Sequence, residues 1–335
     1  MSDPMLLPLL WGIIIAFAVA MYVILDGFDL GLGILFPLAP GRDARSTMMN
    51  SIAPVWDGNE TWLVLGGGGL FAAFPLAYSI LLPALYLPVI LMLIALILRG
   101  VAFEFRPKAD SSRFVWDAAF AGGSLVAALM QGMILGTYIQ GLPLTDQVYA
   151  GGPFGWVTPF SVMTGLGLAC GYALLGAGWL IRKTEGELQA WSYRMARWAL
   201  IPVVLFLGVV SLWTPIAEPE IAERWFAVPN IFYLAPVPIA TGVAILCLWF
   251  GLDRQREGWP FGAAVAVFLL SFLGLAISLW PFAVPRSVTI WDAAAQPESQ
   301  LFMLVGVVVL IPIILIYTGY SYWVFRGKVR GEGYH

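Results

Sequence analysis

Long apolar stretches separated by short polar segments dominate this chain, and the pattern predicts helices that cross a membrane. A helix needs about 20 mainly apolar residues to span the hydrocarbon core of a bilayer. The second such stretch is the least typical, because it includes two carboxylates and four consecutive glycines. The sequence predicts about nine spans, at 7-36, 52-74, 77-99, 114-140, 157-181, 194-214, 229-250, 259-282 and 301-325.

Composition supports an all-α polytopic membrane protein with one integral-membrane domain over residues 1-335. Of the 335 residues, 60% are hydrophobic and 11% are charged, with a mean hydropathy of +0.86. Soluble domains carry about 25% charged residues. The net charge of −3 and the absence of a basic tail argue against a nucleic-acid partner. The first apolar stretch has no basic n-region, so no cleavable signal is expected.

Potential metal ligands are scarce in the sequence. The single histidine, His335, is the last residue, and a terminal histidine is poorly placed to anchor a buried haem. If the protein belongs to a redox system, we therefore expect another chain to hold the metals. Methionine and cysteine also ligate haem, so this alternative stays open. Cys170 and Cys247 lie in apolar segments, which is typical of small core residues rather than of a disulfide.

Basic residues predict the orientation of the chain. Lysine and arginine concentrate in short cytoplasmic loops of membrane proteins. Basic clusters follow spans 1 and 3, so an even number of crossings separates them; either 52-74 and 77-99 both cross, or 52-99 is a re-entrant unit. With two crossings, 15 of the 17 basic residues lie inside, and only Arg224 and Arg286 lie outside. This predicts a periplasmic N-terminus and a cytoplasmic C-terminus.

Two pairs of carboxylates lie in segments otherwise suited to hydrocarbon. Asp26 and Asp29 are three residues apart on span 1, and Asp57 and Glu60 repeat that spacing on span 2, so each pair shares a helix face. The nearest basic residue, Arg99, is expected at the inner end of span 3. Carboxylates with few counter-charges repel one another and exchange protons readily, which favours a proton path near the cytoplasmic face. The alternative is that these carboxylates lie at the membrane–water interface and have no proton role, an interpretation that applies most to Glu60.

Other residues have weaker signals. Trp56 and Trp62 flank the second carboxylate pair and are expected to pack or form an aromatic belt, with a path lining or a subunit interface as alternatives. The glycines at 66–69 favour close helix packing. Gln131 and Gln140 are expected to hydrogen-bond between helices.

Two sequence blocks resemble a known family. Asp-Gly-Phe-Asp at 26–29 and Trp-Asp-Gly-Asn at 56–59, within longer matching stretches at 26–31 and 49–63 and the glycine-rich continuation to 75, closely resemble subunit II of the cytochrome bd-type quinol oxidases. Weaker matches follow in order at 281–282, 289–293 and 311–318. The resemblance spans nearly the whole chain, and the short length is similar to the cyanide-insensitive branch.

The resemblance implies a subunit of a respiratory oxidase in the bacterial inner membrane. Such an enzyme oxidises quinol, reduces O2 to water and takes its protons from the cytoplasm. The family fold has two four-helix bundles plus a peripheral helix. Subunit I of the family holds two b-type haems and one haem d, so this chain is expected to bind no haem and to have no catalytic residue of its own. Some members also have a structural quinone in subunit II and a small single-helix subunit.

The resemblance also implies roles for individual residues. Asp57 matches an aspartate implicated in proton delivery, Asp26 and Asp29 match the acidic pair of the first helix, and Trp62 matches a tryptophan near an oxygen route in some members. We therefore expect a proton pathway through Asp29, Asp26 and Asp57, assisted by Glu60. A stand-alone proton- or ion-coupled transporter is the rival interpretation, and a purely structural subunit is a third.

Overall fold

The structure, a computed structural model, describes residues 5–329, and this part of the chain is mainly helical. A 3-10 turn, Phe36–Leu38, follows the first helix. The helices are α1 Leu6–Leu35, α2 Arg42–Ile52, α3 Trp56–Ala73, α4 Pro75–Phe105, α5 Arg113–Gln140, α6 Pro159–Lys183, α7 Gly186–Ala217, α8 Pro219–Phe226, α9 Asn230–Leu234, α10 Pro236–Asp253, α11 Trp259–Leu279 and α12 Pro297–Val324.

Eight helical segments in the described range are long and apolar enough to cross a membrane, so the chain is a multi-pass membrane protein. They correspond to eight of the nine predicted spans, and the predicted bounds differ from them by up to eight residues. They are Leu6–Leu38, Pro75–Phe105, Arg113–Gln140, Pro159–Lys183, Gly186–Ala217, Asn230–Asp253, Trp259–Leu279 and Pro297–Val324.

The predicted segment 52-74 differs most from its expected form. It contains the last residue of α2, a turn at 53–55 and then α3, which is not among the eight apolar segments because its first turns are polar. Helix α3 nevertheless runs antiparallel to α1: Glu60 lies near the middle of the bundle, and Gly69 lies beside Ile15 near the other end of α1. Its 18 residues give a length of about 27 Å, close to the bilayer core. The number of crossings stays a prediction.

The helices pack as two groups joined through α1, α5 and α6. One group contains α1, α3, α4 and α5, and the other contains α6, α7, α10 and α11. Helix α12 lies at the edge and contacts α1 and α3. Glycines permit the closest approach between the groups: a Cβ built on Gly31 of α1 would lie 1.8 Å from the carbonyl oxygen of Tyr172 in α6.

Short hairpins close one end of the molecule. Strands β1 Leu144–Thr145 and β2 Val148–Tyr149 pair antiparallel, as do β3 Phe282–Val284 and β4 Val288–Thr289. In the second hairpin turn, Arg286 donates to the carbonyl oxygen of Gln140 and forms a 2.6 Å ion pair with Glu218. Arg286 therefore ties together the loops that follow α5, α7 and α11.

The segment after α12 is fastened to the opposite end of the molecule. Lys183 donates to the carbonyl oxygen of Phe325, and Lys328 donates to the carbonyl of Thr184 at 2.9 Å and to Glu257 at 2.8 Å. Hydrogen bonds from Lys328 and Gln189 lower the pKa of the Glu257 carboxyl below its usual range. These contacts connect the peripheral helix α12 to the second helix group.

Candidate functional site

Asp26 and Asp29 are fully buried in the middle of the helix bundle. The two glycines of the same motif explain how this part of α1 fits there. A Cβ on Gly27 would lie 2.7 Å from the ring of Tyr172, and Gly31 is closer still to the backbone of α6. Because the glycine face of α1 packs on α6, the two carboxylates are left on faces that reach α3 and α4.

Arg99 of α4 is the centre of the buried charge cluster. Its Nη1 atom donates to Asp26 Oδ1 at 2.5 Å. Its Nη2 atom lies 3.9 Å from Asp29 Oδ2 and 3.5 Å from Glu60 Oε1. The side chains of Arg99, Asp26 and Asp29 have no exposed surface, and that of Glu60 is 26% exposed. We refer to these four residues as the Arg99 cluster.

One prediction about these charges is wrong. Arg99 does not mark the inner end of its span, because α4 continues to Phe105. The carboxylates were expected to have few counter-charges, and among the described residues one guanidinium, that of Arg99, lies within 4 Å of three of the four. Hydropathy alone misplaced the end of the helix at its first basic residue.

Asn59 joins the Arg99 cluster to one further helix, α12. Its amide nitrogen donates to Asp29 Oδ2 at 2.7 Å and to the carbonyl oxygen of Leu25 at 3.3 Å. Its amide oxygen accepts from the hydroxyl of Tyr322 at 2.9 Å. Asn59 therefore connects α1, α3 and α12 and fixes the position of the Asp29 carboxylate.

Asp57 lies apart from the other three carboxylates. Residues three positions apart on a helix differ by about 60° in direction, and this difference separates the pair on α3. Glu60 reaches Arg99, whereas Asp57 is on the exposed face of the helix. The structure thus brings Asp26, Asp29 and Glu60 together, and it places Asp57 on the adjacent surface.

The two tryptophans of the motif pack within the chain. Trp62 is fully buried and meets the Phe17 ring edge-on, with 5.6 Å between ring centroids. Trp56 stacks on Phe103 at 4.7 Å. The indole nitrogen of Trp62 has no hydrogen-bond partner among the described residues.

Several polar atoms of the Arg99 cluster have no hydrogen-bond partner within residues 5–329. Buried polar atoms are normally satisfied by protein or by internal water. The cluster therefore has the polar surface needed to hold water molecules between its charged groups. The atoms are Asp26 Oδ2, Asp29 Oδ1, Glu60 Oε1, Arg99 Nε and Arg99 Nη2.

A second ionic group lies near the start of α5. Asp117 accepts from Arg45 of α2 at 3.1 Å and from Arg106, the residue that follows α4, at 2.5 Å. Both guanidinium groups also lie over the ring of Phe36, at 5.7 and 5.2 Å from its centroid. The side chain of Glu104, unlike that of Asp117, is largely exposed. The group anchors α2, which sequence analysis had treated as a loop.

Comparison with known proteins assigns the whole chain to a family. Residues 7–325 match the family described as cytochrome bd terminal oxidase subunit II. The chain belongs to this family. Subunit II is thus confirmed as the correct interpretation of the motifs at 26–29 and 56–59.

Relatives of this subunit II match it almost end to end. Cytochrome bd-I ubiquinol oxidase subunit 2 of Escherichia coli (strain K12) is 30% identical over 370 residues, covering 99% of this chain and 97% of that protein. Cytochrome bd ubiquinol oxidase subunit 2 of Bacillus subtilis (strain 168) is 29% identical over 334 residues, covering 96% of each. The structure of bd oxidase from Geobacillus thermodenitrificans matches with a TM-score of 0.79 at 18% identity, covering 95% of this chain and 98% of that chain. This last match shows a shared fold.

The complexes of this family carry haems, and the described residues of this subunit II do not fit a histidine-ligated haem. Histidine is the usual axial ligand of b-type haems. The only histidine in the sequence, His335, lies outside the described residues. Within residues 5–329, no group of three or more His, Cys, Asp or Glu side chains is arranged to hold a metal ion. We therefore derive no step through a haem on this chain.

Sequence analysis misplaced one contributor to the site and missed two. Arg99 was named as the nearest basic residue but placed at a helix end. Asn59 belongs to the Trp-Asp-Gly-Asn block, and its position next to Glu60 could have indicated a role, since an amide in a membrane helix normally finds a partner. Tyr322 had no signal, because its contact with Asn59 depends on how α12 packs against α3.

Proposed function

We propose that this chain is the haem-free subunit of a bacterial quinol oxidase and that it delivers protons to its partner. In this proposal, the complex oxidises quinol, reduces O2 to water and takes the protons from the cytoplasm, so that turnover is electrogenic. Two b-type haems and one haem d belong to the partner, subunit I. Membership of the cytochrome bd subunit II family supports the role within an oxidase.

The observation that carries the proton role is the buried Arg99 cluster. Burial of charges in a membrane is costly, and chains that bury them commonly use them to move ions or protons. Three carboxylates share one guanidinium here, and all three lie within 4 Å of Arg99. Each of them also has one oxygen without a hydrogen-bond partner among the described residues. This arrangement provides proton-binding groups whose unpartnered atoms would be satisfied by internal water.

We propose that the partner subunit covers the exposed face of α3. The positions on this face follow one another at alternating spacings of four and three, which defines a single stripe along the helix. Lipid tails offer no hydrogen-bond partner to a carboxylate, so the charged end of the stripe favours a protein as the occupant. We call this surface the α3 stripe; it consists of Asp57, Thr61, Val64, Gly68 and Phe71, all exposed.

The stripe gives the proposed pathway a direction. Asp29 and Asp26 are buried deep in the chain, Glu60 is partly exposed, and Asp57 lies on the stripe. With subunit I docked on α3, protons would pass from Asp29 and Asp26 by way of Glu60 to Asp57 and then to the partner. Trp62 and Trp56 would then act by packing beside the pathway; an oxygen route near Trp62 stays a prediction.

Orientation in the inner membrane is part of the proposal. Arg45 and Arg106, which pair with Asp117, lie at the same end of the bundle as Lys183 and Lys328. Arg286 lies at the opposite end. The first end carries most of the positive charge, which supports its assignment to the cytoplasm. The N-terminus would then be periplasmic and the C-terminus cytoplasmic.

A groove lies beside α11, and the structural quinone stays a prediction without an assigned position. The volume of the groove, about 450 Å³, is within the range of small-molecule sites. Arg224 lies at its rim and donates to the carbonyl oxygen of Ile277 at 2.8 Å. A small single-helix subunit stays a prediction without an assigned position. The groove is lined by Arg224, Asn230, Tyr233, Leu234, Ala276, Ile277 and Trp280.

Replacement of Asp57 in the whole oxidase complex tests the proton role. Asp57→Asn keeps the size of the side chain but cannot exchange protons as a carboxylate does. We expect O2 consumption with quinol to fall by about tenfold or more, while the haem spectrum of the purified complex stays the same. Asp110→Asn is the matched control, because Asp110 is exposed in the α4–α5 loop, and it should keep full turnover.

The possible outcomes separate three interpretations. Full turnover of Asp57→Asn at every pH would contradict the proton role of Asp57. Loss of haem or of subunit I from the Asp57→Asn complex would instead make Asp57 an assembly residue, in agreement with a structural subunit. The transporter interpretation is set aside, because the chain belongs to an oxidase subunit family.

A further inference from the structure

Three polar side chains, two of them buried and one half-buried, form a hydrogen-bonded chain that leads to the Arg99 cluster from the N-terminal side of α1. The hydroxyl of Tyr172 in α6 donates to Oε1 of Gln131 in α5 at 2.8 Å. The amide nitrogen of Gln131 donates to the hydroxyl oxygen of Tyr22 in α1, also at 2.8 Å. Both tyrosines are buried. The chain thus crosses three helices within the apolar interior.

These hydrogen bonds do not use the hydroxyl hydrogen of Tyr22. Gln131 uses its oxygen as an acceptor and its nitrogen as a donor, so the hydroxyl hydrogen of Tyr22 is still available. Asp26 lies one helical turn further along α1, on the same face as Tyr22, and the two groups interact electrostatically. The Oδ2 atom of Asp26 has no partner among the described residues, whereas its Oδ1 atom binds Arg99.

We propose that Tyr22 donates its hydroxyl hydrogen to Asp26 Oδ2, and that Tyr172, Gln131 and Tyr22 are positioning residues that hold this carboxylate against Arg99. The proposal rests on the proton role of the Arg99 cluster. It adds a set of residues that belongs to neither of the two motifs and that carries no charge.

The chemistry of the chain favours orientation over proton transport. The amide of Gln131 does not take up or release a proton near neutral pH, so it interrupts any relay between the tyrosines. Beyond it, Tyr172 stacks on Phe268 at 5.9 Å, which closes that side with an apolar ring. We expect the carboxylate of Asp26 to keep one orientation, because fixed donors would then hold both of its oxygens.

Other groups also face Asp26 and bear on any pH effect. Arg99 contacts it from α4, and the remaining groups act on it electrostatically from α1, α3, α6 and α12. The titratable and charged groups that face it are Arg99, Asp29, Glu60, Tyr22, Tyr172 and Tyr322.

Tyr22→Phe in the whole oxidase complex tests the proposal. Loss of a hydrogen-bond donor disfavours an ionised carboxylate, so the pH–turnover profile of the complex should move to higher pH by about half to one unit. The haem spectrum and the yield of subunit I should not change. Gln131→Met should move the profile in the same direction by less, because Tyr22 then loses the partner that orients it.

Tyr138→Phe is the matched control. Tyr138 is a half-buried tyrosine, and its hydroxyl donates to the carbonyl oxygen of Ala283 at 2.9 Å, away from the cluster. This variant removes one hydrogen-bonded tyrosine hydroxyl and should keep the wild-type pH profile. A shift as large as that of Tyr22→Phe would contradict the proposal, because it would show a general effect of hydroxyl loss.

Asp26→Asn separates failure of this inference from failure of the proposed function. If Asp26→Asn lowers turnover and Tyr22→Phe keeps the wild-type profile, the positioning role is wrong and the proton role stands. If Asp26→Asn itself keeps full turnover at every pH, the proton role of Asp26 fails. Should Tyr22→Phe not assemble, the profile of Gln131→Met decides, and an unshifted profile would overturn the inference.

Discussion

At the residue scale, Arg99 explains how three carboxylates can lie together inside the bundle. A single charge at the centre of a bilayer costs about 2.5–3.5 kcal/mol on insertion scales. The guanidinium is planar and has five donors, so it can contact several carboxylates at once. Here it bonds to Asp26 and lies within 4 Å of Asp29 and Glu60. Arg99 thereby offsets part of the charge of the cluster while leaving oxygens free for water.

We expect Arg99→Met to be one of the most damaging single substitutions in this chain. It keeps much of the side-chain volume but leaves Asp26 as a buried carboxylate without its cation. Removal of one partner of a buried ion pair costs about 3–5 kcal/mol. The melting temperature and haem retention of the detergent-solubilised complex should both fall clearly.

Two further variants control this prediction. Arg45→Met removes an arginine from the partly exposed pair with Asp117 and should cost about 1 kcal/mol or less. The double variant Arg99→Met with Asp26→Asn removes both members of the buried pair, so it should recover part of the stability lost in Arg99→Met. Equal losses for Arg99→Met and Arg45→Met would contradict the central role of Arg99.

Sequence spacing predicted some of these contacts and missed others for a geometric reason. The three-residue spacing of Asp26 and Asp29 predicts that both share a face of α1, and Arg99 lies within 4 Å of both. The same spacing does not tell which of Asp57 and Glu60 faces the cluster, because that depends on how α3 is rotated against α1. The contacts of Arg99 could not be predicted either, because the face of α4 that meets α1 is set by helix packing rather than by local sequence.

At the element scale, α3 shows why hydropathy ranked one predicted span lowest. The first turns of this helix carry Asp57, Asn59 and Glu60, which lower its mean hydropathy. In the structure, Asn59 and Glu60 are partnered within the chain, so they need not face lipid. A helix whose polar residues are satisfied by neighbours can lie in a bundle without a strong hydropathy signal, and sequence alone does not show those neighbours.

Gly68→Phe tests whether the α3 stripe is the docking surface for the partner. A Cβ on Gly68 would meet no atom within 4 Å, so the isolated chain has space for a larger side chain. If subunit I covers this stripe, a phenyl ring there should prevent close approach of the two subunits. We expect co-purification of subunit I and haem with this chain to fall at least several-fold.

Gly208→Phe is the corresponding control on α7. Gly208 also has no atom within 4 Å of a built Cβ, but it lies in the second helix group, away from α3. Co-purification of subunit I with this variant should equal that of the wild type. Normal co-purification of Gly68→Phe would show that the partner docks elsewhere.

At the scale of the whole molecule, charge and polar contacts are divided between the two ends of the bundle. One end has the ionic group around Asp117 and the contacts of Lys183 and Lys328, whereas the other has the hairpin fastened by Arg286. The alternation of basic loops in the sequence predicts this grouping. The grouping of basic residues at the two ends follows from the order of spans and loops along the chain. Sequence analysis could therefore predict this grouping more readily than any single side-chain contact.

Cysteine labelling of intact cells tests the orientation and the crossing of α3 together. The two native cysteines, Cys170 and Cys247, are replaced by alanine, and single cysteines are then introduced at exposed positions. Substitution of non-basic residues keeps the charge pattern that orients the chain. A membrane-impermeant maleimide reports which positions face the periplasm, and inverted membrane vesicles report the opposite side.

We expect Pro75→Cys and Asp146→Cys to react from the periplasmic side, and Asp43→Cys and Asp110→Cys to react only in inverted vesicles. All four positions are exposed in the structure. The physical reason is that α3 is about 27 Å long and lies along α1 from the Arg99 cluster to Ile15, so we expect its two ends to lie on opposite faces of the membrane. Reaction of Pro75→Cys from the same side as Asp43→Cys would make α3 and α4 a re-entrant unit. Reaction of Asp43→Cys and Asp110→Cys from opposite sides would instead rule out an even number of crossings between them and overturn the predicted orientation.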